Sequence, residues 1–320
     1  MTVQKKILVL VDGSERSERT VNYIKEFMPV DGNLKIVLFH VFRGMPEKYP
    51  TVDNHIPDDD CDRKWNTWKT GVENRMLTGL EQMKKNLIIA GFPDHLIEIN
   101  CHSMETGIAR DIIAEAKNGY HAVIMSRRGT AMALQSIVLG SVAFKLLQSI
   151  SFIPTLFVGS APPVQKILLA VNASASSKKA VDFLASMLGR HGSRYEICLI
   201  HVILHLGCVD FDDCGRDMSN MSPPELPDKC IESFKLEIQQ LLQNTKDRLV
   251  ASGFKAENIS KKIVSGAISR SSTIVQEAEN DGYSTIVVGR RGLSKVEAFF
   301  MGRVGHKVIH GGRKFSVWVV

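Results

Sequence analysis

Two clusters of glycine and small polar residues have the spacing of a main-chain cradle for an anion. Gly289-Arg290-Arg291-Gly292 is followed, after nine residues, by Gly302-Arg303, and Ser126-Arg127-Arg128-Gly129 is followed, after ten, by Gly140-Ser141. Glycines directly after a buried strand let backbone N–H groups approach a phosphate, and a helix opening at the second glycine adds its positive end. Ser141 is placed to cap that helix and to donate its hydroxyl to phosphate. On its own such a pattern also marks ordinary turns and helix stops. The arginine pairs Arg127-Arg128 and Arg290-Arg291 are expected to be solvated loop charge, with steering of an anionic ligand as the alternative.

Other chemistry finds less support. Asp12-Gly13-Ser14 follows a strand-like run, but a paired-aspartate phosphoryl-transfer turn would need an acid at position 10, which is Leu10. The phosphate loop G-x-x-x-x-G-K-[ST] and the zinc helix H-E-x-x-H are absent. His40 and His201 each end an apolar run, where a histidine is expected to be packed and hydrogen-bonded and not catalytic. Asp58-Asp59-Asp60-Cys61-Asp62 lacks the spacing of a calcium loop and is expected to be a solvated loop. Six cysteines without a C-x-x-C pair are expected to be reduced thiols that bind no metal. No catalytic residue is assigned.

The elements that must position these turns are legible because they occur twice. Ile7-Leu8-Val9-Leu10-Val11 opens the chain and Ile167-Leu168-Leu169-Ala170-Val171 repeats it 160 residues later. The run Ile36 to Val41 returns as Ile197 to Val202, and Gly119-Tyr120-His121-Ala122-Val123-Ile124-Met125 as Gly282-Tyr283-Ser284-Thr285-Ile286-Val287-Val288. Helical periodicity fills the gaps, over about 65–90, 108–117, 225–252 and 272–279, with Gly91 and Gly253 as helix stops. Short strands over 155–158 and 317–320 close each copy. The pattern is βαβαβαβαβ twice, and nearly continuous apolar strands predict parallel sheets covered on both faces. Right-handed crossovers favour a doubly wound α/β sheet with its ligand crevice at the strand carboxyl ends.

At 320 residues the chain exceeds the usual size of a single core. The expected domains are 1–160 and 164–320, joined by Ala161-Pro162-Pro163 as a stiff linker. The net charge of +6 is interleaved with acids along most helices, which argues against a nucleic-acid face. No apolar run is long enough to span a bilayer, and the first residues lack a signal-peptide pattern, so a cytoplasmic location is expected. The connections over 43–62 and 204–224 differ completely between copies, as separately specialised ligand mouths would.

Val-Asp-Gly-Ser after the first strand, His-Val at the end of the second, and G-x-x-G, nine residues, G-[ST] after the fourth together resemble the universal stress protein family, over essentially the whole chain twice. The resemblance implies an adenine nucleotide alpha hydrolase-like fold of strand order 3-2-1-4-5, with ATP or another adenine nucleotide, alone or with Mg, in the crevice. It also implies pairing through the last strand, which two pseudo-twofold related copies can make within one chain, as a homodimer does between chains. Carried over by motif, the first-copy contacts are Asp12 and Val41 on the adenine side, with Met125, Ser126, Gly129, Gly140, Ser141 and Val142 around ribose and phosphates. In the second copy they are Asn172, Val202, Val288, Gly289, Gly292, Gly302, Arg303 and Val304. Ser126, the longer first loop, Asn172 and Arg303 depart from the family pattern, and Arg303 either holds a phosphate or fills its place. The reading is a regulatory nucleotide binder without efficient turnover. The alternative is a stress-linked adaptor with degenerate crevices that binds a partner protein or another small ligand.

Overall fold

The computed structural model describes residues 4–42, 59–127, 139–204, 228–290 and 303–320. The chain divides into two compact units, Met1–Val158 and Gly159–Val320.

In the first unit the order is β1 (Lys5–Leu10), α1 (Glu15–Phe27), β2 (Leu34–Phe42), α2 (Asp59–Ile89), β3 (Ile97–Ser103), α3 (Ile108–Ala116), β4 (Ala122–Ser126), α4 (Ser141–Ser149) and β5 (Thr155–Val158). All four strand pairings are parallel: β3 with β2, β2 with β1, β1 with β4 and β4 with β5. The resulting order, 3-2-1-4-5, is the one the family resemblance implies. Chain order reverses between β1 and β4, where Ile7 lies opposite Ala122 and Val9 opposite Ile124.

The second unit repeats the plan as β6 (Lys166–Ala170), α5 (Ala175–Leu188), β7 (Glu196–Leu204), α6 (Asp228–Ala251), β8 (Ile259–Ala267), α7 (Arg270–Asn280), β9 (Thr285–Val288), α8 (Arg303–Gly311) and β10 (Ser316–Val319). Its strands run β8-β7-β6-β9-β10, again all parallel, with the reversal between β6 and β9.

Parallel strands buried on both faces explain why the strand runs carry no polar alternation. Ile7, Leu8 and Val9 are fully buried, as are Ile167, Leu168 and Leu169. Helices α1 and α2 pack together, as do α3 and α4, and the second unit pairs α5 with α6 and α7 with α8. That is the arrangement right-handed crossovers produce when a chain winds outward from the first strand in both directions.

The long helices end as the glycines predict. Gly91 and Gly253 have φ of 100° and 109°. Each closes its helix with a pair of bonds, Gly91 N–H to Ile88 O and Phe92 N–H to Leu87 O in α2, Gly253 N–H to Val250 O and Phe254 N–H to Leu249 O in α6. The start of α2 differs from expectation. Asp59, Asp60 and Asp62 lie in its first turn and not in a loop. Asp58 and the divergent connections over 43–58 and 205–227 lie outside the described residues.

The last strand carries much of the second core. Trp318 is fully buried and meets Phe183 of α5 edge-on, with ring centroids 5.7 Å apart. Trp318→Ala is expected to cost about 3–5 kcal/mol of unfolding free energy in denaturant titrations, and deletion of the last five residues should abolish the cooperative transition of the second unit. Normal melting of the truncated chain would contradict this role of β10.

Candidate functional site

The carboxyl end of β1 leads into a compact hydrogen-bonded turn. Asp12 Oδ1 accepts from Ser14 N–H at 3.2 Å and from the hydroxyls of Ser14 and Ser17, each at 2.6 Å. Ser17 Oγ accepts from the Asp12 amide at 2.8 Å, and Ser14 caps α1 by accepting from Ser17 N–H. Gly13 takes φ of 71°, a left-handed conformation that a side chain would strain. After β6 the same turn is built around Asn172, whose Oδ1 accepts from Ser174 N–H at 3.0 Å while its amide donates to Ser177 Oγ at 3.0 Å. The acceptor geometry therefore survives the change from Asp to Asn. What the second copy loses at this point is a negative charge.

A histidine holds each turn from the neighbouring strand. His40 Nδ1 lies 2.7 Å from the Val11 carbonyl, and His201 Nδ1 lies 2.7 Å from the Val171 carbonyl. A carbonyl only accepts, so Nδ1 carries the proton in both rings. Burial lowers the pKa of His40, against the opposing effects of the Val11 bond and the Asp12 charge. Burial also lowers that of His201, opposed by the Val171 bond and aided by Arg270. Both imidazoles are thus neutral, packed structural groups, as expected of strand-end histidines.

At the end of β4, Ser126 is the last strand residue and the Arg127 carbonyl accepts from Gly140 N–H at 2.8 Å, which draws the two ends of the loop together. Gly140 is the N-terminal flank of α4, and Ser141 is its first helical residue. This corrects the expectation that Ser141 caps the helix: the cap position belongs to Gly140, which has no side chain to offer. The first intrahelical bond runs from Phe144 N–H to Gly140 O, so the amides of Ser141, Val142 and Ala143 precede the helical ladder, and no side chain among the described residues caps them. Ser141 is exposed and Val142 half-buried.

The arginine pairs also depart from expectation. Arg127 and Arg290 are only 7% and 9% exposed, so the first member of each pair is packed into the strand end and is not a solvated charge. Arg128, Arg291 and the glycines Gly129, Gly292 and Gly302 lie outside the described residues. Val41, Met125, Val202 and Val288 are 3% to 7% exposed or less, so their side chains belong to the sheet core and a ligand would meet chiefly their backbone. Gly289 has a packing reason of its own: a Cβ there would stand 2.8 Å from the Ser176 carbonyl carbon and 2.9 Å from Ser177 N, in the first turn of α5. In the first copy Ser126 carries a side chain at this position. Arg303 and Val304 open α8.

Sequence reasoning missed one residue at the site. Met76 of α2 lies over the turn, where a Cβ on Gly13 would meet its Cε at 3.1 Å and its Sδ at 3.2 Å. The signal was present in the stripe Met76, Leu80, Met83 and Leu87, which continues the buried face of α2 to the carboxyl edge of the sheet.

Thiol chemistry finds no support among the described cysteines. Burial, with the nearby Glu73 carboxylate, pushes the Cys101 thiol up to about 11, and burial also raises that of Cys198. No group of three or more potential metal ligands occurs among the described residues, and no described helix is long and apolar enough to cross a membrane.

A parallel sheet that winds outward from its first strand in both directions, with a tight acidic turn after that strand and a helix opening at Gly140 after its fourth, defines a doubly wound α/β fold. The model of the universal stress protein family matches residues 216–320. The universal stress protein YxiE of Bacillus subtilis is 28% identical over 144 residues, which cover 45% of this chain and 90% of YxiE. A universal stress protein from Archaeoglobus fulgidus aligns over 98% of this chain and 97% of its own, at 18% identity and a TM-score of 0.57. A functionally unknown protein from Pseudomonas aeruginosa PAO1 aligns over 99% of this chain and 92% of its own, at 15% identity and a TM-score of 0.51. The chain is thus similar to the universal stress protein family in sequence over residues 216–320, and shares the fold of universal stress proteins along its length.

Two outcomes follow from the turn. Gly13→Ala should destabilise the first unit by about 1–2 kcal/mol in denaturant titrations, through left-handed strain and the encounter with Met76. Because folding lowers the pKa of both histidines, the unfolded chain binds more protons below the ordinary value of 6.5. Their contribution is therefore complete above that pH and is lost progressively as pH falls from it towards the folded values. The double variant His40→Gln, His201→Gln should show a flatter dependence of melting temperature between pH 7 and 5 than the parent, and an unchanged slope would contradict the assignment.

Proposed function

We propose that this protein binds an adenine nucleotide, ATP with Mg, in the crevice of its first unit, and acts in the cytoplasm as a stress regulator without efficient turnover. The observation that carries the reading is how α4 starts, set against other described helix starts in the two units. Serines cap α1, α5 and α7. At α3 the Asp111 carboxylate reaches back to the amides of Glu105 and Thr106. Among the described residues helix α4 has no such group, and it starts at the strand reversal, beside the strand that leads into Asp12. Three main-chain donors and the positive end of a helix form a site for phosphate. Ser141 adds a hydroxyl there, and Asp12 and the Val41 backbone bound the adenine side in the family pattern.

The second crevice has Asn172 in place of the acid and Arg303 in place of the serine, and its glycine turn is pressed against α5. We assign it no nucleotide.

Ser141→Asp tests the reading. A carboxylate in the first turn favours the helix dipole but repels phosphate. The parent should gain thermal stability with millimolar Mg-ATP, and Ser141→Asp should melt at or above the parent temperature without ligand yet lose the nucleotide shift. No shift in the parent, or an undiminished shift in Ser141→Asp, would overturn it.

A further inference from the structure

We propose that Met76 is a specificity-determining wall of the first crevice, taking the flat face of the nucleobase on its thioether. The inference rests on the nucleotide reading above and deepens it.

The case begins with length. The 31 residues of α2 span about 46 Å, whereas the nine residues of β2 span about 30 Å, so the helix overhangs the sheet by roughly 15 Å. The crossover returns α2 antiparallel to the strands, and its far end packs at Phe92 and Leu96 before β3 begins. The overhang therefore stands at the carboxyl edge, where the crevice lies. Residues Leu80, Met83 and Leu87 of the inward stripe are buried on the sheet. Met76, the next member towards the overhang, is half-buried and sits on Gly13, between Asp12 and Ser14. Glu73, one turn further out, is close enough to β3 for its charge to act on Cys101.

The contact also restricts what can occupy the site. Gly13 leaves the turn without a side chain, so the surface beside Asp12 on the α2 side is the Met76 thioether. Methionine is unbranched and polarizable, and its sulfur makes favourable contacts with aromatic rings. A planar heteroaromatic ring placed beside Asp12 would have sulfur on one face and the carboxylate turn at its edge. The corresponding position in α6, 162 residues on, is Ile238, which is 4% exposed. A stiff β-branched side chain adapts less to a flat ring. The two crevices thus differ at the nucleobase wall as well as at the phosphate end.

The experiment is a titration of the full chain, labelled at its methionine methyls, with Mg-ATP, the Met76 signal being assigned by its loss in Met76→Leu. The Met76 methyl should shift saturably. Met76→Ala should weaken Mg-ATP by about five- to tenfold, while Met76→Leu, which conserves volume, should recover most of the affinity. Melting curves without ligand show that both variants fold. If Mg-ATP binds but the Met76 signal stays still and Met76→Ala binds as the parent does, the wall is overturned and the nucleotide reading stands. If Mg-ATP binds neither parent nor variants, the nucleotide reading fails and the wall with it.

Discussion

The carboxyl edge of each sheet depends on one small hydrogen-bonded knot. An Asp or Asn oxygen takes the amide two residues on, a serine five residues on returns a bond to its backbone, and a neutral histidine on the next strand holds the preceding carbonyl. The knot fixes the angle at which α1 and α5 leave their strands. It also uses the polar groups of those helix starts internally, Ser14 and Ser174 serving as caps. Among the described residues, main-chain amides without such an internal partner lie on the other side of the strand reversal, where β4 feeds α4.

With the knot common to both units, their difference is one of charge and clearance. Asp12 and Asn172 build equivalent turns, so the substitution changes the field at the crevice and leaves its shape. Gly289 lets α5 approach the end of β9 closely, whereas Ser126 holds a side chain at the same point. Ser141 and Arg303 open equivalent helices, one with a hydroxyl and the other with a cation. The sheets of the two halves are alike, while the groups bordering their crevices differ.

The fold was legible because its causes are local in sequence. Buried parallel strands require unbroken apolar runs, long helices require a periodic stripe, and Gly91 and Gly253 mark left-handed helix ends. The repeat at 160 to 163 residues made each element testable against its partner. The site was legible in part. Motif spacing pointed to Asp12, Gly140 and Ser141 as candidates, but the cap at Gly140 depends on where the helix begins, which moves by one residue without altering the pattern. Burial of Arg127 and Arg290 and the pressure of α5 on Gly289 arise from neighbours far apart in the chain. Met76 was hidden for the same reason: its stripe is visible in α2, but its place over Gly13 follows from how far the helix overhangs the sheet.

The most direct test of two unequal crevices is a crystal structure of the full chain grown with Mg and a non-hydrolysable ATP analogue. Phosphate density against the amides of Ser141, Val142 and Ala143, with the base beside Asp12 and the second crevice empty, is the expected result. Nucleotide bound at the start of α8 instead, or neither crevice occupied at saturating analogue, would contradict it.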